Sequence, residues 1–97
     1  MTLPPTDKLA RIFASIRDER EMRIFLEGIL TPSELEEVIC RWRLMLHLLA
    51  GEPQREISQE LGVSLGKISR GSRLLKYGPD EFRKLLERVA SEIESSE

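Results

Sequence analysis

The residues best placed to do chemistry are cations at helical spacing. Lys67, Arg70, Arg73 and Lys76 follow one another at intervals of three, and no acidic residue lies between Gly62 and Pro79. Inside a chain with a net charge of −2 this is a local positive block. Such a block suits phosphate, because ammonium and guanidinium groups make charge-assisted hydrogen bonds to it. Charge alone leaves a plain solvated helix face as the alternative.

The rest of the inventory argues against catalysis. The chain has 97 residues with 15 basic and 17 acidic side chains, a net charge of −2. Its single cysteine, Cys40, excludes an internal disulfide and a Cys-based zinc site. Its single histidine, His47, argues against a His-ligated metal site or a His-based triad. No nucleophile–base pair, carboxylate dyad or phosphate-binding glycine loop is visible. We therefore expect no enzyme, no metal and no cofactor. No run approaches the roughly 18 uncharged apolar residues of a membrane span. The first residues lead straight into charge rather than into a signal peptide, which with one cysteine fits a reducing cytoplasm. So short a chain buries only about 60–65% of its unfolded surface, so dimerisation would help it.

The elements that must hold the cations read as six helices in an all-α chain. Leu9, Ile12, Phe13 and Ile16 form one apolar stripe, and Met22, Phe25, Leu26 and Ile29 repeat its spacing. Thr31-Pro32-Ser33-Glu34 marks a helix start, with Thr31 as cap, Pro32 in the first turn and Glu34 completing a capping box. That helix carries Leu35, Val38, Ile39, Trp42, Leu46 and Leu49 on one face and stops at Gly51. Short helices fit Pro53–Leu61 and Ser64–Lys76, and a last one from about Pro79 bears Phe82, Leu85, Leu86, Val89 and Ile93. Ser91–Glu97 reads as frayed. His47 falls off the apolar stripe and reads as a surface residue; Cys40 reads as a small packing residue.

The segment Gln54–Arg70 is the most informative. Ile57 and Leu61 face inward from its first helix, Val63 plugs the turn, and Ile68 faces inward from its second. Small Ser58 lets the helices approach, Gly62 suits the positive φ of the turn, and Ser64 caps the second helix. This is the build of a helix-turn-helix, which offers its second helix to the DNA major groove. Candidate DNA contacts are Leu65, Gly66, Lys67, Ser69, Arg70, Arg73 and Lys76 on the second helix. Gln54 and Arg55 open the first. Small residues near the start of the second helix allow close approach to base edges, while Arg and Lys reach phosphate or guanine. A helical hairpin that docks protein instead is the competing reading.

Several runs together resemble the Trp repressor family. They are Ile29-Leu30-Thr31-Pro32, Arg41, Leu48-Leu49-Ala50-Gly51-Glu52, Gln54-Arg55-Glu56-Ile57, and Ile68-Ser69-Arg70-Gly71-Ser72 followed by Leu75-Lys76. The likeness covers about residues 29–79. It implies one domain over 1–97 that forms an intertwined homodimer. Residues 1–50 would supply the dimerisation core, 53–77 the helix-turn-helix, and 79–95 a last helix completing the core. It implies a palindromic double-stranded operator, repression, and a small aromatic acid, L-tryptophan first, as corepressor.

By the same resemblance, Arg41 and Arg70 would flank the ring, one of them holding the carboxylate. Guanidinium planes suit both tasks. Leu30 and Thr31 match positions that the partner subunit offers to the ligand, and Gly71 matches a small residue that leaves room beside it. The sequence departs from the family at Leu74, where a hydroxyl would assist the ligand's ammonium; leucine accepts no hydrogen bond. Lys67 replaces a small polar residue, and the loop at Gly51-Glu52-Pro53 is one residue shorter. The carboxylate-and-ring half of the pocket is kept, and the ammonium half lacks its acceptor. An aromatic acid without the ammonium, and a repressor needing no ligand, stay open beside L-tryptophan.

Overall fold

Proline and glycine set the ends of the helices. The computed structural model describes residues 2–96, in the order α1 (Pro5–Ser15), α2 (Glu19–Ile29), α3 (Pro32–Leu49), α4 (Gln54–Leu61), α5 (Leu65–Tyr77) and α6 (Asp80–Ser96). Pro5 and Pro32 open helices, where a missing N–H costs nothing. Gly51 and Gly62 follow α3 and α4 with positive φ. No strand occurs among the described residues, so the all-α expectation holds. None of the helices is long and apolar enough to cross a membrane, among the described residues.

The chain falls into two compact units, Met1–Glu37 and Val38–Glu97. In the first, neither α1 nor α2 contains a buried residue. Their stripes meet edge to face at Phe13 and Phe25, with ring centroids 5.9 Å apart and planes at 89°. Leu9, Phe13, Ile24 and Ile29 nevertheless stay exposed. The unit ends on the capping box that the sequence predicts. The Thr31 N–H donates to Glu34 Oε1 (2.9 Å), and the Glu34 N–H donates to Thr31 Oγ1 (3.1 Å). The backbone N–H of Thr31, and then its hydroxyl contact, hold the Glu34 carboxyl below its ordinary range.

The second unit has its core where α3, α4 and α5 meet. Leu44, Ile57 and Ile68 are buried together, and Leu48, Leu61 and Val63 pack against them. The sequence predicts one apolar face on α3, running from Leu35 to Leu49. The helix in fact has two. Leu44, Met45 and Leu48 turn toward α5, while Val38 and Ile39 remain exposed. A helix that packs on the turn motif with one side can present the other elsewhere, and a single-stripe reading misses that.

On α6, Leu86 and Ala90 are buried. Arg83 Nη1 donates to the Leu75 carbonyl of α5 (3.5 Å). The expected fraying from Ser91 does not occur: α6 continues to Ser96, aided by Arg83–Glu87 and Arg88–Glu92 pairs at i,i+4. Glu97 lies outside the described residues.

Candidate nucleic-acid interface

The turn between α4 and α5 is fixed from both sides. Gly62 takes φ 68° and ψ 27°, and its N–H bonds to the Ser58 carbonyl at 2.9 Å. That left-handed conformation closes α4 without a side-chain penalty. Ser58 does more than make room, since its hydroxyl donates to the Val63 carbonyl at 2.7 Å and ties α4 across the turn. Ser64 then caps α5 by accepting the Lys67 N–H at 3.3 Å. Ile57 and Ile68 are fully buried on either side of the turn. Both helices are thus locked by short-range contacts, which is what a presented recognition helix requires.

Helix α5 has a sharply divided surface. Ile68, Gly71, Ser72 and Leu75 form its buried side. Gly66, Ser69, Arg70 and Arg73 centre on the opposite, exposed side, with Lys67 on one flank and Leu65 and Lys76 on the other. All seven expected contact residues of this helix are therefore accessible. From α4, Arg55 is exposed and Gln54 half-buried. Ser69 Oγ donates to Gln54 Oε1 at 3.2 Å, which brings the first residue of α4 onto the same surface as the cations of α5. The Gln54 amide nitrogen keeps its donors for another acceptor.

The candidate ligand residues are distributed over both units. Leu30 caps the end of α2 and is half-buried, and Thr31 is exposed at the start of α3. Arg41 on α3 and Arg70 on α5 are exposed, as is Leu74 one turn after Arg70. Gly71 is buried. A Cβ there would stand 3.1 Å from Leu48 Cδ1, 3.4 Å from Met45 Cε and 3.7 Å from Leu44 Cδ2. Within this chain its smallness therefore serves the approach of α5 to α3.

Two features escape the sequence reading. Tyr77 is 84% exposed at the end of α5, four residues after Arg73 and seven after Arg70, so it extends the outward face. That helical spacing is the signal that would have found it. His47 is no free surface residue: its ring is partly shielded and Nδ1 hydrogen-bonds the Glu52 carboxylate. The loop that brings Glu52 back onto α3 has no periodicity to announce it.

The comparisons with known proteins agree with this geometry. A family model described as Trp repressor protein matches residues 6–90. A Trp operon repressor homolog of Vibrio parahaemolyticus is 36% identical over 88 residues, covering 86% of this chain and 85% of its own. One from Xylella fastidiosa is 39% identical over 71 residues, covering 72% and 77%. The Bacillus subtilis protein named uncharacterized protein YerC is 33% identical over 91 residues, covering 93% and 88%. With a family match over most of its length and such relatives beside it, the chain belongs to the Trp repressor family.

Proposed function

We propose that this member of a family of DNA-binding regulators is a sequence-specific transcriptional repressor, acting as a homodimer on a palindromic operator. The observation that carries the reading is the divided surface of α5. Its inner side is buried in a locked turn motif, and Lys67, Arg70, Arg73 and Lys76 all face out with no anion among them. Phosphate contacts from these residues would position the helix, while exposed Gly66, Ser69 and Leu65 would approach base edges. A homodimer is supported by the apolar side chains that α1, α2 and α3 leave exposed, namely Leu9, Phe13, Ile24, Ile29, Val38 and Ile39.

Control by a small aromatic acid, L-tryptophan first, is the finer part of the proposal. Arg41 and Arg70 are both exposed to solvent, and guanidinium planes suit stacking on a ring and pairing with a carboxylate. Bound between dimer core and recognition helix, the ligand would favour the DNA-competent spacing of the two motifs and so raise operator affinity by linkage. One observation favours a second ligand: Leu74 offers no acceptor for an ammonium. A deaminated indole acid would not need one.

The test is fluorescence anisotropy with duplexes chosen by in-vitro selection from a random pool, with and without each ligand. A palindromic consensus whose affinity falls steeply with salt, and is lost in a Lys67→Ala/Arg70→Ala double variant, is the expected result. Full retention by that variant sinks the reading in favour of a protein-docking hairpin.

A further inference from the structure

We propose that His47, Glu52 and Glu60 bind a divalent transition-metal ion, with zinc as the probe, and that the ion fastens the end of α3 to α4. Each residue offers one ligand atom, and the three atoms lie within 4.8 Å of one another. They come from three different places: His47 from the last turn of α3, Glu52 from the connection that follows, and Glu60 from the last turn of α4. His47 Nδ1 already contacts Glu52 Oε2 and stands 3.8 Å from Glu60 Oε2. Donors that share one zinc ion, each about 2.0–2.2 Å from it, are themselves roughly 3–4 Å apart. The 3.8 Å between His47 Nδ1 and Glu60 Oε2 already falls in that range.

The donor set selects the class of ion. An imidazole nitrogen favours zinc and its neighbours over magnesium or calcium, which take oxygen ligands. Two carboxylates balance the double positive charge of such an ion. The His47 side chain is 22% exposed and the Glu60 side chain 61%, so the cluster is shielded toward α3 and open toward solvent. That leaves positions for water on the ion and a route of entry. His47 and Glu52 also line an open depression with Arg43, Leu46 and Ala50. Counting histidines alone predicts no metal site in this chain; two glutamates brought back by the loop and by α4 supply the missing ligands.

Because α4 is the first helix of the turn motif, an ion held there would reinforce its attachment to α3 beside the Leu44–Ile57 contact. Any effect on operator affinity rests on the DNA-binding reading above. Metal binding itself does not, and it is measured on the DNA-free protein.

The experiment titrates zinc into the full chain against a chromophoric chelator, with thermal unfolding in parallel. One saturable ion per chain is expected in the wild type and in Cys40→Ser. Glu60→Gln, a change at an exposed position, should weaken binding by about tenfold or more, and His47→Ala should abolish it. Zinc should raise the melting temperature of wild type and Cys40→Ser most, of Glu60→Gln less, and of His47→Ala not at all. Absence of saturable binding in the wild type overturns the site and leaves His47–Glu52 a simple hydrogen-bonded pair. Equal binding by wild type, Glu60→Gln and His47→Ala, or its loss in Cys40→Ser, overturns it as well.

Discussion

Gly71 of α5 lies so close to Leu48 of α3 that a Cβ on residue 71 would stand 3.1 Å from Leu48 Cδ1. Met45 Cε is 3.4 Å away, so the neighbours are the flexible ends of two side chains. Gly71→Ala should therefore be nearly neutral. Its helix-propensity gain of about 1 kcal/mol offsets the slight repacking. Gly71→Val adds two more methyls against a filled groove and should cost about 1–3 kcal/mol. Urea unfolding of both variants separates the two outcomes. An equal loss for both would mean that α3 cannot yield at all.

Gly62 should be less forgiving, although a Cβ there meets nothing within 4 Å. Its φ of 68° is the constraint. Alanine in that conformation costs roughly 1–2 kcal/mol. Gly66 makes the contrast, because it is helical and equally open. Gly66→Ala should stabilise by about 1 kcal/mol, while weakening operator binding if the backbone there approaches a base edge. Melting temperatures of the pair should move in opposite directions.

Lys67, Arg70, Arg73 and Lys76 should show their roles in the salt dependence of DNA binding. Replacing a residue that only pairs with phosphate should weaken all sequences alike and reduce the log–log salt slope by about 1. A residue that reads a base should instead relax the preference at one operator position, at about 1–3 kcal/mol. Tyr77→Phe, at the end of the same face, tests whether the phenol hydroxyl contributes. An unchanged slope for all four cations would remove the phosphate role.

How much of this was legible in the chain follows from the range of the contacts. Ile57, Leu61, Val63 and Ile68 lie in one short stretch, so spacing alone places them in the core of the turn. The Thr31–Glu34 capping box is likewise local. The second apolar face of α3 is not legible, since Leu44, Met45 and Leu48 acquire their role only when Gly71 arrives from α5. The same holds for His47, whose partners come from a loop and from α4. The Gln54–Ser69 bond joins residues fifteen apart and has no periodic signature. The stripes of α1 and α2 are legible as stripes, and a chain too short to bury them fits Leu9, Phe13, Ile24 and Ile29 staying exposed.

The start of α3 should respond to acid. The Glu34 carboxyl is held below its ordinary range by the Thr31 N–H and hydroxyl. A depressed carboxylate stabilises the folded state above its unfolded pKa, and the contribution is lost as pH falls through the lowered folded value. The window therefore lies below about pH 4.3, the ordinary glutamate value. Glu34→Gln should flatten this part of the stability–pH profile with little change in fold. Thr31→Ala should flatten it too, and should lose about 1 kcal/mol at neutral pH through the missing cap. A profile for Glu34→Gln that overlays the wild type would show that the capping box does not set it.

Leu74 is where the ligand question can be decided. It follows Arg70 by one helical turn and is 39% exposed. If an aromatic acid pairs with Arg70, a ligand ammonium near residue 74 finds no acceptor in a leucine side chain. Leu74→Ser would supply one, and a hydrogen bond to a charged group contributes roughly 1.5–3 kcal/mol. The variant should therefore gain about tenfold or more in affinity for L-tryptophan. Its affinity for the deaminated indole acid should stay level or fall. Calorimetry of wild type and variant with both ligands gives the comparison directly. An equal gain for both ligands would mean that the new hydroxyl meets a shared group rather than the ammonium. No gain for either would place the ligand's amino group away from residue 74.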